Sequence, residues 1–291
     1  MASVNAPVLA LSGAVMVWGT TFVVSDNALR MASPAVLTVG RFIVAAAVLL
    51  FLARHRSGLS RAIRFWSVAL LGLTGVSLNY GLQNAGLLYT TAGTAALLQA
   101  VLPIATVLLG WIWLTERPGG VSAVGLLLST AGVVLVAGGA ILRLDLGALL
   151  VLGGVFGYAL YTVMLRARRD EDVLVLAAAT CLWGLMFLLP WQLWEIVTGR
   201  ASLHLDAALV TAILYLGVLA SGGTLLLWTY GATRVPVTVA AVFLALIPAV
   251  GYAVAALTGE ALDLGKTIGC VLALAGTLLV IAAAPSRLPK V

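Results

Sequence analysis

The chain has 291 residues, 63% of them apolar and 9% charged, with a mean hydropathy of +1.15. Average soluble domains carry about 25% charged side chains, and 16 basic plus 10 acidic groups cannot cover a 30 kDa water-soluble globule. That excludes a soluble enzyme, and the net charge of +6 then reads as membrane topology with no nucleic-acid partner.

A transmembrane helix needs about 20 mostly apolar residues. Ten stretches qualify, at 8–25, 35–53, 65–85, 92–114, 119–140, 147–166, 173–194, 207–231, 236–257 and 266–284. The first is not a signal peptide, because no Lys or Arg precedes Arg30. It carries Trp18-Gly19-Thr20-Thr21-Phe22, with Trp18, Thr21 and Ser25 at helical spacing. The second holds Arg41, the only charge well inside a span and about 10 Å below its outer end at 1.5 Å per residue. A guanidinium at mid-bilayer costs about 2.5–3.5 kcal/mol on insertion scales. Arg41 therefore either snorkels or bonds another helix, or it serves as a gate or a carboxylate contact.

In the third span, Asn79 and Gln83, and likewise Tyr80 and Asn84, are four apart and form one polar flank. The fourth sets Gln99, Pro103, Thr106 and Gly110 along one face. Pro103 in mid-span is expected to kink the helix, because it lacks an N–H and its ring clashes with the preceding turn. Glu116 just precedes Pro118, a favourable first helical residue, which puts its carboxylate at the positive end of the fifth span. Gly125 and Gly132 are seven apart, on one face where helices can approach closely.

The sixth span offers Tyr158, Tyr161 and Thr162, and the eighth Ser221, Thr224 and Trp228. Pro248 falls in mid-span in the ninth, and the tenth repeats the glycine pair as Gly269 and Gly276. The run from Arg166 to Asp172 reads as a solvated cytoplasmic loop, too short and flexible for a metal site. Trp66, Trp111, Trp113, Trp191 and Trp194 sit where interfacial anchors belong. Cys181 and Cys270 lie in apolar runs and imply no disulfide.

An internal repeat underlies this order. Leu102-Pro103, Glu116, Gly125 and Gly132 are answered by Ile247-Pro248, Glu260, Gly269 and Gly276, with the same spacing from glutamate to each glycine. A shift of 145 also lays Thr94-Ala95-Ala96-Leu97 on Val239-Ala240-Ala241-Val242, and one near 140 lays Trp18-Gly19 on Tyr158-Ala159. The units are 1–143 and 144–291, five spans each. An odd number makes the second copy enter the bilayer from the opposite face, so the expectation is two inverted repeats with a solute site between them.

The basic residues set the orientation. Arg54, Arg56, Arg61, Arg64, Arg117, Arg166, Arg168, Arg169, Arg234, Arg287 and Lys290 fall on one side, against Arg30, Arg143, Arg200 and Lys266 on the other. That bias puts both termini in the cytoplasm.

The Trp18-to-Phe22 motif, Arg41 and the two Pro–Glu–Gly–Gly series resemble the ten-helix drug/metabolite transporter superfamily, specifically its EamA-type members, over residues 8–284. Within it the chain looks most like bacterial amino-acid exporters of the YddG type. The likeness implies an all-α membrane protein of the bacterial inner membrane with a cavity built largely from spans 1, 3, 4, 6, 8 and 9. One departure is that Thr180-Cys181 stand where the second half should match Arg41.

The stripes of Trp18, Thr21, Asn79, Tyr80, Gln83, Gln99, Tyr158, Tyr161, Thr224 and Trp228 could line such a cavity, an aromatic pocket for a small amphipathic solute. The same polar residues could equally bond helix to helix. Arg41, Pro103 and Pro248 are gate or interhelix candidates, and Glu116, Glu260 and the four glycines are structural ones. All ten acidic residues sit in loops or at span edges, which argues against a carboxylate-based proton relay.

Export of small zwitterionic or neutral metabolites, amino acids first, is the expected activity, by a monomer without cofactor or metal. A broad-specificity drug or metabolite exporter is the alternative. An intramembrane enzyme would need a metal-binding or nucleophile–base constellation, and a channel would need charged rings or a filter loop. The sequence offers none of these.

Overall fold

The computed structural model describes residues 2–86, 89–90, 98–99, 101–136, 145–257 and 263–283. Each of the ten apolar stretches is helical over its described part. The first half contains α1 (Ala2–Leu29), α2 (Pro34–Ala53), the short α3 (Leu59–Arg64) and α4 (Trp66–Gly72). α4 runs through a π-helical stretch, Leu73–Leu82, into α5 (Gln83–Gly86); α6 (Val101–Leu114) and α7 (Gly120–Val136) follow. The second half contains α8 (Leu146–Arg166), α9 (Val173–Val197) and α10 (Ala207–Gly217). α10 continues through a second π stretch, Val218–Gly223, into α11 (Thr224–Ala232), and then come α12 (Val237–Leu244), α13 (Leu246–Leu257) and α14 (Leu264–Ala283).

Six of the described helical runs are long and apolar enough to cross a membrane, and three shorter apolar ones accompany them. Among the described residues there is no strand, only an isolated antiparallel bridge between Ala32 and Leu203. Glu260, Thr94 to Leu97, Arg143, Arg287 and Lys290 lie outside the described residues.

Acidic side chains start the helices. Asp145 accepts from the Ala148 N–H at 2.8 Å, Asp172 from Leu174 at 2.9 Å, Asp206 from Leu209 at 2.7 Å and Asp263 from Lys266 at 2.7 Å. Each satisfies a backbone donor that the first turn leaves open. Two glutamates do the same for helices far from them in sequence. Glu195, near the end of α9, accepts from the Ala35 N–H of α2 at 3.2 Å and from Ser33 Oγ at 2.5 Å.

Glu116 accepts from the Val237 N–H at 2.8 Å and from Arg166 Nε at 2.9 Å. Two expectations are corrected here. Glu116 caps α12 of the other half and not α7, the helix that follows it in sequence. Arg166 is not part of a solvated loop: it ends α8 at 3% exposure, paired with Glu116 and donating to the Thr233 carbonyl at 3.2 Å. A buried guanidinium is tolerated only with such partners.

The glycine pairs of the fifth and tenth spans meet. A Cβ on Gly132 would stand 2.5 Å from the Ala273 nitrogen and the Gly269 carbonyl, and one on Gly125 would stand 2.8 Å from the Gly276 carbonyl. α7 and α14 thus touch backbone to backbone, the close approach that small residues permit in membranes. Ser129 Oγ adds a bond to the Ala273 carbonyl at 3.1 Å.

The prolines act as helix starters. Pro103 and Pro248 are each the third residue of a helix, α6 and α13, where the missing N–H costs no helical bond. Pro248 follows the break at Ala245 between α12 and α13. The π stretches keep the repeat offset as well: Leu73 and Val218, their first residues, are 145 apart.

Candidate functional site

Between the two π stretches lies a cluster of aromatic rings drawn from both halves. Trp18 of α1 meets Tyr158 of α8 edge to face at 5.9 Å, and the Trp228 ring of α11 lies 5.3 Å from Trp18 and 6.0 Å from Tyr158. Tyr161 packs 5.3 Å from Tyr158, and its hydroxyl lies 3.4 Å from Thr229 Oγ1. On the other side, Phe42 and Tyr80 are edge to face at 5.1 Å. Such centroid spacings are those of favourable aromatic pairs.

A small cavity opens among these rings. Trp18, Phe42, Tyr80 and Tyr158 form its aromatic wall. Gly75 and Val76 of the first π stretch, Ser221 of the second, and Thr224 and Leu225 of α11 complete it. Gly75 is needed for shape, since a Cβ there would stand 2.5 Å from the Tyr161 ring. The free volume is about 10 Å³, the room of a single water. Among the described residues, the Trp228 indole N–H and the Tyr158 hydroxyl are buried without hydrogen-bond partners. Unsatisfied donors of this kind are costly, and Tyr158 faces the cavity.

Arg41 stands behind that wall. It does not snorkel. At 6% exposure it donates from Nε to Ser221 Oγ at 2.8 Å and from a terminal nitrogen to the Ala220 carbonyl at 3.2 Å. Its guanidinium lies over the Tyr80 ring at 5.0 Å and the Phe42 ring at 5.7 Å, within cation–π range. It therefore joins α2 to the second π stretch, an interhelix bond.

Of the sequence candidates, Trp18, Tyr80, Tyr158 and Thr224 line the cavity, while Tyr161 and Trp228 support its rings. Thr21 donates to the Trp18 carbonyl of its own helix at 2.7 Å. Asn79, Gln83 and Gln99 are half-buried and outside the lining. Phe42, Gly75, Val76 and Leu225 were not singled out, because an apolar residue or a lone glycine carries no signal in so apolar a chain. Arg41 next to Phe42 was the available clue.

The EamA-like transporter family model matches the chain twice, over residues 5–138 and 145–282. The chain belongs to the EamA-like transporter family. Such a chain is a transporter and not an enzyme. A probable terminal-alkyne amino-acid exporter of Streptantibioticus cattleyicolor is 33% identical over 284 residues, covering 94% of this transporter and 92% of the relative. An uncharacterized transporter of Archaeoglobus fulgidus is 29% identical over 284 residues, 93% and 96% of the two chains. A solved crystal structure superposes with a TM-score of 0.84 over 96% of this transporter and 98% of its own chain. Its 20% identity makes that likeness one of fold alone.

Among the described residues no acidic side chain lines the transporter's cavity. Among the described residues no group of three or more His, Cys, Asp or Glu side chains could hold a metal ion. The site offers π faces, N–H and O–H donors and one guanidinium behind them.

Hydrogen bonds tie the helices together at two ends of the bundle. At one end the Glu116 cluster ties α6, α8, α11 and α12 together. At the other, Glu195 holds the start of α2, and the backbones of 31–33 and 202–204 pair through Ser33 N–H to Ser202 O at 2.9 Å and His204 N–H to Met31 O at 2.8 Å.

Proposed function

We propose that this transporter exports small organic metabolites, with aromatic and neutral amino acids foremost, across the bacterial inner membrane by alternating access. Ten membrane helices form two inverted five-helix repeats with both termini cytoplasmic, the solute sits between the repeats, and a monomer is the working unit. The observation that carries this reading is the cavity whose ring wall draws on both halves, Trp18, Phe42 and Tyr80 from the first and Tyr158, backed by Trp228, from the second. A site at the seam of inverted repeats is where a rocking carrier holds its solute. The amino-acid assignment leans on the exporter relative at 33% identity and on rings that suit an amphipathic solute. Because no carboxylate lines the cavity among the described residues, the expected transport is downhill.

The test is efflux from proteoliposomes loaded with a labelled panel of neutral and aromatic amino acids, with and without a pH gradient. Efflux above that of protein-free liposomes, fastest for aromatic solutes and unaffected by the gradient, is expected. No efflux for any amino acid would overturn the assignment. Tyr158→Phe is expected to slow efflux roughly threefold to tenfold, the worth of one hydrogen bond, with no loss of thermal stability.

A further inference from the structure

We propose that the cavity selects its solute by a carboxylate, taken by Arg41, and by an apolar side chain set among the rings, and that it makes no demand for an α-ammonium group. The inference deepens the export reading above and rests on it for the cavity being the solute's site.

Arg41 is buried and, among the described residues, has no carboxylate partner. The ion pairs there join Arg56 to Asp172, Arg166 to Glu116, Arg168 to Glu171 and Arg169 to Asp170, all remote from it in the fold. Its hydrogen bonds go to one hydroxyl and one carbonyl, both uncharged. Three of its immediate neighbours, Phe42, Tyr80 and Ser221, are themselves cavity wall, so the positive charge stands directly behind the lining.

A guanidinium presents a planar fork of donors that matches a carboxylate, and a low-dielectric surround strengthens the match. The rest of the wall points the same way. Among the described residues the Tyr158 hydroxyl is buried with nothing to donate to, and a carboxylate oxygen is an acceptor. An ammonium would meet only neutral acceptors among the described lining residues, the Ser221 oxygen already receiving Arg41 and the Thr224 hydroxyl donating to the Ala220 carbonyl of its own helix, and no carboxylate to pair its charge. The apolar remainder of the solute then meets Leu225, Val76 and the ring faces.

The experiment titrates the purified full chain in nanodiscs with 3-phenylpropionate, L-phenylalanine and L-phenylalaninamide, reading intrinsic tryptophan fluorescence, to which Trp18 and Trp228 contribute at the site. The two acids are expected to bind within about threefold of each other and the amide about tenfold or more weakly, because only the acids supply a charge-assisted partner. Arg41→Gln is expected to cost both acids about tenfold or more and to leave the amide where it was. An amide that binds as well as the acids, a strict requirement for the amino group, or no binding by any probe overturns the proposal. If Arg41→Gln does not fold, the ranking of the three probes by the native chain still decides. Amino-acid efflux inhibited equally by acid and amide sinks this inference and leaves the export reading. Binding of 3-phenylpropionate through Arg41 without efflux of any amino acid does the reverse.

Discussion

Arg166 and Glu116 form a pair of which Arg166 has a side-chain exposure of 2% and Glu116 of 13%, and that burial sets what its loss would cost. In Arg166→Ala, Glu116 keeps only the Val237 N–H, and a buried carboxylate loses its counter-charge. Removing one partner of a buried pair costs about 3–5 kcal/mol, so a clear drop in the detergent-solubilised unfolding temperature is expected. Arg166→Met combined with Glu116→Gln is expected to recover part of it, because the amide oxygen still caps α12 and no lone charge remains. By contrast Arg56→Ala, from a pair exposed at 58% and 39%, is expected to stay within about 1 kcal/mol. An unfolding temperature for Arg166→Ala equal to that of Arg56→Ala would refute the burial account. The sequence could not foretell the pair. Arg166 opens a charged run that looks like any cytoplasmic loop, and its partner lies 50 residues away. Trp18, Tyr158 and Trp228 were legible because aromatic residues at helical spacing stand out even in an apolar chain.

Helix period explains which polar stripes were misplaced. Reading Asn79 with Gln83 as one flank assumes 3.6 residues per turn, yet Leu73–Leu82 is π-helical, with i→i+5 bonding and a wider turn. Tyr80 lines the cavity while its chain neighbour Asn79, and Gln83 beyond the π stretch, lie outside that lining, so the register of this segment has to be read from the structure. The glycine faces of α7 and α14 contain no such change of period, and their spacing translated directly into contact. Gly132→Leu is expected to force these helices apart and cost at least about 1–3 kcal/mol, the usual penalty of overpacking. It should appear as a lower unfolding temperature, or as loss of folded protein on gel filtration. Gly120→Ala, at the start of α7 where a Cβ would meet nothing within 4 Å, is expected to leave stability unchanged or slightly raised. Equal behaviour of the two variants would remove the packing role assigned to this face.

At the scale of the whole molecule, the contacts between connections bear on how the halves are inserted. In a repeat of five helices, the connection after α1 corresponds to that after α8, and the one after α2 to that after α9. Yet the first connection, 30–33, pairs with 202–204 after α9. The second meets the connection after α8 through Arg56 with Asp172 at 3.6 Å. Corresponding connections therefore sit at opposite ends of the bundle. α2, with 20 residues, separates the two clusters by about 30 Å at 1.5 Å per residue, the thickness of a hydrocarbon core. Copies inserted in parallel would place corresponding connections on one face, so accessibility decides between the two arrangements. With Cys181 and Cys270 replaced by alanine, single cysteines at the exposed positions Ser57, Asp170 and Ser202 are reacted with a membrane-impermeant maleimide. In intact cells Ser202→Cys is expected to label, whereas Ser57→Cys and Asp170→Cys label only after permeabilisation, as the arginine-rich connections require. Labelling of Ser57→Cys and Asp170→Cys from opposite faces would mean that the copies are not inverted, and the seam between them would then lose its reason for opening to each side in turn.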